Sequence, residues 1–291
     1  MTTQVLNIPK VRGDQVQRDR ASAGSLLLPA LVIIGVFFIY PLALVVWTSF
    51  TTPSFGLENY FALFTDGVTV TVLFRTLLVG VLVSVITLLL AYPYAYSMTV
   101  VSPAWRTVMI TAVMLPFWVN VIARTFAWFI LQGRDGPIDQ FFQSFGIEGV
   151  VLLHSWAGVT VAMVQVMLPF MVLPLYNRMR TIDPGLMRAS ASLGAKPAVS
   201  FARVYLPLSV PGVVSGATLV FVITLGFYIT PALLGSPDQA LLSQVIATKV
   251  KRLLDFAGAG ASGVLLLVVT LVVLGAVNLL LRRWLPKRKK A

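Results

Sequence analysis

The sequence predicts an all-α integral membrane protein of six transmembrane helices, and three observations predict it. Apolar residues make up 58% of the 291-residue chain and charged residues 11%, a balance that leaves too few polar groups to clothe a soluble domain. Long apolar runs proceed without the polar–apolar alternation of a barrel strand, so helices are the elements that satisfy a lipid-facing backbone. Lys and Arg, which give a net charge of +12, gather at the ends of those runs and in the tails, where topology rather than nucleic-acid binding explains them. There is no cysteine, which excludes disulfides and thiolate metal sites.

Taken in order, residues 1–25 form a basic amino-terminal tail with Lys10, Arg12, Arg18 and Arg20. The first span, 26–50, holds about 25 apolar residues, too many for a secretory signal core. No small-x-small cleavage pattern follows within Thr48 to Gly56, so the span reads as an uncleaved anchor. Apolar runs then predict spans at Thr76 to Met98, Thr107 to Leu131, Val150 to Tyr176, Pro211 to Leu234 and Ala261 to Leu281. Residues 71–283 form one membrane domain, and 284–291 form a basic tail. Prolines 29, 41, 93, 116, 169, 174 and 231 lie within or near spans, where they bend helices or simply belong to the ordinary composition of membrane helices. Gly212 and Gly216 form a GxxxG pair, most simply a packing contact within the bundle.

Charge sets the orientation. Basic residues lie at the amino terminus, after span four (Arg178, Arg180, Arg188, Lys196, Arg203) and at the carboxyl end, while acids follow spans one and three. Both termini and the connection after span four are therefore expected in the cytoplasm of a multi-pass inner-membrane protein. Lys249, Lys251 and Arg252 fall in an external connection and run against the pattern.

The connection 182–207 is the most informative stretch. Asp183 caps a helix with Pro184 at its first position, where a missing N–H costs nothing. Gly194 offers a left-handed stop, and Pro197 starts a second helix expected to end before Leu206 and Pro207. The stretch IDPGLMRASASLGAKPAVSFARVYLPLSVPG resembles the EAA loop of permease subunits in ATP-binding-cassette importers. Ala189, Ser190, Gly194, Leu206 and Pro207 match that motif, and Arg188 replaces the acid that names it. LPFWVNVIARTFAWFILQGRDGPI, LPFMVLPLYNRMRTIDP and LGFYITPALLG are similar to segments of the spermidine and putrescine branch of type I importer permeases. The resemblance implies the bundle of that family, of the MetI-like kind, with a cytoplasmic coupling helix. It further implies ATPase coupling through Asp183, Met187, Arg188, Ala189, Ser190, Gly194, Leu206 and Pro207. The implied partners are ATP-binding-cassette ATPase subunits, a second homologous permease, an external solute-binding protein, membrane lipid and a small-molecule solute; nucleic acid is not among them.

Candidate pathway residues are Trp118, Asn120, Arg124, Trp128, Phe227 and Tyr228. A charge such as Arg124 inside a span costs about 2.5–3.5 kcal/mol on insertion scales and requires compensation; it either faces the pathway or snorkels to the outer interface. The aromatic rings offer cation–π faces or interfacial anchors. Asn120 and Gln165 bond either a solute or a neighbouring helix, and His154 is expected to hydrogen-bond at the interface rather than bind metal. The polyamine branch commonly carries an acid where this chain has Phe227. That departure leaves the solute open among a polyamine, another small organic cation and an anionic organic acid or phosphonate. No phosphate-binding GxxxxGK[ST] loop and no hydrolytic triad occur, so no cofactor is expected and ATP chemistry belongs to a partner. The rival classes are an ion-coupled carrier or channel, which the lack of carboxylates inside the spans disfavours, and a non-transporting scaffold, which needs no docking loop.

Overall fold

The computed structural model describes residues 29–52 and 54–284, with side chains as far as Leu279. The basic terminal tails and the side chains of Arg282 and Arg283 lie outside the described residues. Every regular element among the described residues is a helix. Five helices are long and apolar enough to cross a membrane, and a sixth span is a bent pair.

Span one, Pro29–Thr51, buries almost nothing. It is held only near its end, where Ser49 Oγ shares a 2.7 Å hydrogen bond with Tyr60 Oη, and where Val45 and Ser49 lie against Gly260 of span six. Pro41 follows a widened π turn at Gly35–Ile39, which makes room for its ring.

Span two, Gly67–Val100, starts nine residues before the predicted Thr76. The reason is a cap: Asp66 accepts hydrogen bonds from Val68 N at 3.1 Å, Thr69 N at 3.3 Å and Thr69 Oγ1 at 2.7 Å. These donors, the Thr69 hydroxyl foremost, hold the Asp66 carboxyl below its ordinary value. The cap therefore strengthens the helix above the ordinary carboxylate pKa and is lost as pH falls through the lowered one. At 1.5 Å per residue the helix is about 51 Å long, so it tilts or extends past the bilayer.

The predicted continuous third span, Thr107 to Leu131, is instead two helices, Pro103–Trp118 and Val121–Gln132, the second arm reaching Gln143. The two arms meet at 95°. Pro116 removes one hydrogen bond just before the break, and Asn120 restarts the chain by accepting from Ile122 N at 2.8 Å.

Span four, Trp156–Met179, is the central helix. Met163, Met167, Met171, Leu175 and Met179 recur every four residues and are fully buried, facing spans two and five. Unbranched, flexible methionine fills the irregular gaps of such a seam. Gly212 and Gly216 lie on span five against Arg178, Leu175 and Met171 of span four, so the GxxxG pair serves packing within the bundle.

Span five differs most from its predicted bounds of Pro211 to Leu234. It runs without interruption from Pro197 to Leu225, absorbing the second helix of the 182–207 connection, which does not end before Leu206. The Leu-Pro stop fails because a π turn at Phe201–Tyr205 widens the helix immediately before Pro207. At the other end the helix stops at Gly226, and Ile229–Leu234 is a separate short helix. Span six is Phe256–Trp284.

Candidate functional site

Two regions combine exposed surface with specific geometry: the connection after span four, and the paired breaks in spans three and five.

The first is a capped helix, Pro184–Ser192, none of whose residues is buried. Asp183 Oδ1 accepts from Gly185 N at 2.8 Å. Its far end closes with Gly194 N donating to Ala191 O at 2.9 Å and Ala195 N to Ser190 O at 3.2 Å, with Gly194 at φ +82°. Leu193, 89% exposed, and Leu186 point away from the bundle, as do Arg188, Ala189 and Lys196.

What fixes this exposed helix is on its inner side. Ser190 Oγ donates at 2.8 Å to Ser200 Oγ, which is buried at the start of span five. Met187 packs on the main core. Behind it, Tyr96 of span two meets Phe201 and Tyr205 edge-on at 5.7 and 5.2 Å between centroids, and Phe201 stacks on Tyr205 at 5.5 Å. Tyr92 Oη shares a 2.9 Å hydrogen bond with Ser209 Oγ. These contacts tie the inner side of the helix to spans two and five together. Sequence reasoning missed this aromatic cluster, although Tyr92/Tyr96 and Phe201/Tyr205 are i, i+4 pairs that put two rings on one helix face.

The second region contains the candidate pathway residues, which the structure does not gather into one site. Arg124 Nη1 donates to Pro116 O at 2.6 Å, across the break in span three. Pro116 O is one of the last carbonyls of the first arm, which have no helical partner, so the guanidinium caps the negative end of that helix. Its Nε is buried without a partner. Trp128 Nε1 donates to Gln165 Oε1 of span four at 2.8 Å, and Asn120 is a helix cap. Phe227 packs on the main core, and its carbonyl accepts from Ser243 Oγ. Tyr228 lies under Lys251, 5.3 Å from Nζ to the ring centre, which gives one of the cations of the connection before span six a partner. Trp118, 84% exposed, stands at the break itself.

The two breaks touch each other. Buried Thr125 and Thr230 share a hydrogen bond at 3.1 Å, joining the second arm of span three to the short helix beyond Gly226. No local signal in the sequence pairs residues 105 positions apart. Next to them His154, at φ +63°, bonds Gly235 O through Nδ1 at 3.2 Å, a loop-fastening role.

Substituting Arg124 by Leu removes the cap on the first arm and is expected to lower stability by about 1–2 kcal/mol. Arg124→Lys, which keeps a cation at the helix end, is expected to recover at least half of the loss in a detergent melting experiment. Equal melting of all three proteins would show that Pro116 O needs no cap.

Residues 84–291 match the family model described as binding-protein-dependent transport system inner membrane component. The chain belongs to that family. This permease is 33% identical to the inner membrane ABC transporter permease protein YdcU of Escherichia coli (strain K12), over 76% of its own length and 77% of the relative's. It is 30% identical to the spermidine/putrescine transport system permease protein PotB of Haemophilus influenzae, over 84% and 86%. Its fold matches the crystal structure of a bacterial ABC transporter that imports the acidic polysaccharide alginate, with a TM-score of 0.69 at 20% identity over 93% of this chain and 98% of that one. A second structure of a bacterial alginate transporter, in complex with its alginate-bound periplasmic protein, gives a TM-score of 0.72 at 20% identity over 93% and 96%. The permease is thus the multi-pass inner-membrane subunit of an ATP-binding-cassette importer, and the carrier, channel and scaffold readings fall.

Proposed function

We propose that this permease pairs with a second, homologous permease around a central pathway, receives solute from an external binding protein and is driven by two cytoplasmic ATPase subunits, one of them docked on the Pro184–Ser192 helix. The observation that carries the reading is that helix: capped at both ends, free of burial, and tied inward to spans two and five. A helix that merely joined two spans would not need an exposed Leu193 and Leu186 on a rigid mount. Asp183 and Gly194 fix its shape, Arg188, Ala189 and Leu193 offer contact surface, and Met187 with Ser190 carries motion inward. Leu206 and Pro207 belong to the start of the moving span. In this reading both termini and the 182–207 connection are cytoplasmic.

The proposed pathway runs past the breaks in spans three and five, where Trp118 and Tyr228 present rings. Arg124, Asn120, Trp128 and Phe227 keep those breaks in shape. Domain limits follow the same reading, with 26–50 as an anchor beside the 71–283 transport domain. The proposed cargo is a polyamine or a related small organic solute, supported by the similarity to the spermidine/putrescine permease over most of both chains. Carboxylates for a polycation are then expected from the partner permease or the binding protein, since spans one, two, four, five and six carry none and Asp139, on the far arm of span three, is committed to the Asp135 and Val150 N–H groups.

Uptake of labelled spermidine by cells carrying the complete system tests the cargo, and ATP dependence of that uptake tests the class. Uptake that persists without the ATPase subunits would reject the class; ATP-driven uptake that spermidine and putrescine fail to compete would reject the cargo. Arg188→Glu reverses a charge on the docking face and is expected to weaken ATPase retention about fivefold in a pull-down, as an attractive contact with an acidic groove becomes a like-charge one. Unchanged retention would place Arg188 outside the contact.

A further inference from the structure

A cavity of about 480 Å³ lies under the root of the Pro184–Ser192 helix, between the adjoining ends of spans two, three, four and five. Arg106 and Arg180 line it together with Tyr96, Tyr176 and Tyr205. Arg106 donates Nε to Met98 O at 3.0 Å and Nη2 to Val101 O at 3.4 Å, capping span two and leaving Nη1 for another acceptor. The Arg180 guanidinium has no protein hydrogen bond or ion pair among the described residues. Tyr205 is 7% exposed, and its hydroxyl is buried near Thr99 with no well-formed hydrogen bond among the described residues. Asp183 also lines the cavity and brings one negative charge against the two arginines; its Oδ1 accepts from Gly185 N.

We propose that this cavity binds a phosphate-bearing anion, and that its occupancy holds the Pro184–Ser192 helix against the bundle. Two arginines and three tyrosines line one half-enclosed volume, a donor-rich set that a phosphate group with its several acceptor oxygens matches. Cation pockets between helices at the cytoplasmic end of a membrane protein suit lipid headgroups, and inorganic phosphate offers the same chemistry in solution. Because Arg106 belongs to span three, Arg180 to the end of span four, and Asp183 and Met187 to the docking helix and its cap, an anion bridging the arginines couples that helix to the bundle. A cationic cargo is repelled from the same place. The regulatory consequence rests on the reading of the helix as the ATPase mount; the binding does not.

The test uses the full chain in nanodiscs. Native mass spectrometry and thermal shift compare phosphatidylcholine discs, the same discs with inorganic phosphate, and discs containing phosphatidylglycerol. Expected is a specific, saturable adduct with at least one of the two anions, weakened about tenfold by Arg180→Gln as one charge-assisted contact is lost. Arg203→Gln, which removes a charge of the same sign outside the cavity, is expected to leave it within about twofold. Phosphate alone binding assigns the site to a soluble anion, and phosphatidylglycerol alone to a lipid headgroup. Binding of neither, or equal loss in both variants, overturns the site. Hydrogen exchange over 184–196 is expected to slow when the anion is bound; binding without that protection overturns the holding role. Since no ATPase is present in these measurements, their failure leaves the importer reading intact.

Discussion

Gly194→Val is expected to cut solute uptake about tenfold or more while leaving membrane insertion and overall melting nearly unchanged. Gly194 sits at φ +82° with open space around its Cα, so the cost is conformational rather than steric. A β-branched residue there loses about 1–2 kcal/mol or more. The docking helix can relieve that strain locally by unwinding its last turn, which releases the Gly194 and Ala195 hydrogen bonds that close it. An exposed element thus absorbs the damage and the bundle does not. ATP hydrolysis by the assembled complex should continue without driving uptake, and transport should fall at least about tenfold, the kinetic equivalent of that free energy. Gly194→Asn, which tolerates the left-handed region, should retain most of the activity. Equal uptake by the Val variant and the parent would remove the turn from the coupling route.

Gly212→Leu is expected to do the opposite, damaging the bundle itself. A Cβ at this position would lie 2.7 Å from Arg178 Cβ and 3.3 Å from Leu175 Cα. Neither is the far end of a flexible side chain, so span five must move away from span four. Overpacking of this kind costs about 1–3 kcal/mol, and here it falls on the helix seam that carries the methionine core. A lower melting temperature and reduced accumulation in the membrane should accompany loss of transport. Gly263→Leu, on span six with nothing within 4 Å of its Cβ position, should be tolerated; comparable melting of the two variants would show that the spans four and five seam can re-pack.

The sequence disclosed what depends on neighbours along the chain and concealed what depends on neighbours across it. Asp183–Pro184 and Gly194 set a local helix start and stop, and both stand where their chemistry predicts. Leu206–Pro207 carried an equally plain local signal and misled, because widening the preceding turn by one residue spares the helix the usual clash with the proline ring. The break after Trp118 was hidden for a related reason. Val119 and Asn120 sit inside an apolar run, and Pro116 alone announces a kink rather than a 95° turn. Arg124 had been framed as a choice between pathway and interface, and its guanidinium in fact closes the end of a half-helix that the sequence did not reveal to be one. The Thr125–Thr230 bond and the ring cluster of Tyr96, Phe201 and Tyr205 required two elements to be brought together before either could be seen.

In the proposed importer, an ATPase pushes the exposed Pro184–Ser192 helix from the cytoplasm. The absence of cysteine makes one measurement direct, since Leu193→Cys supplies this subunit's single thiol at the strongly exposed residue that caps that helix. With the complete transporter in intact cells, the thiol should resist a membrane-impermeant external reagent and, on cross-linking, form an adduct with the ATPase subunit. Labelling from outside, or an ATPase that never cross-links while transport proceeds, would contradict that coupling.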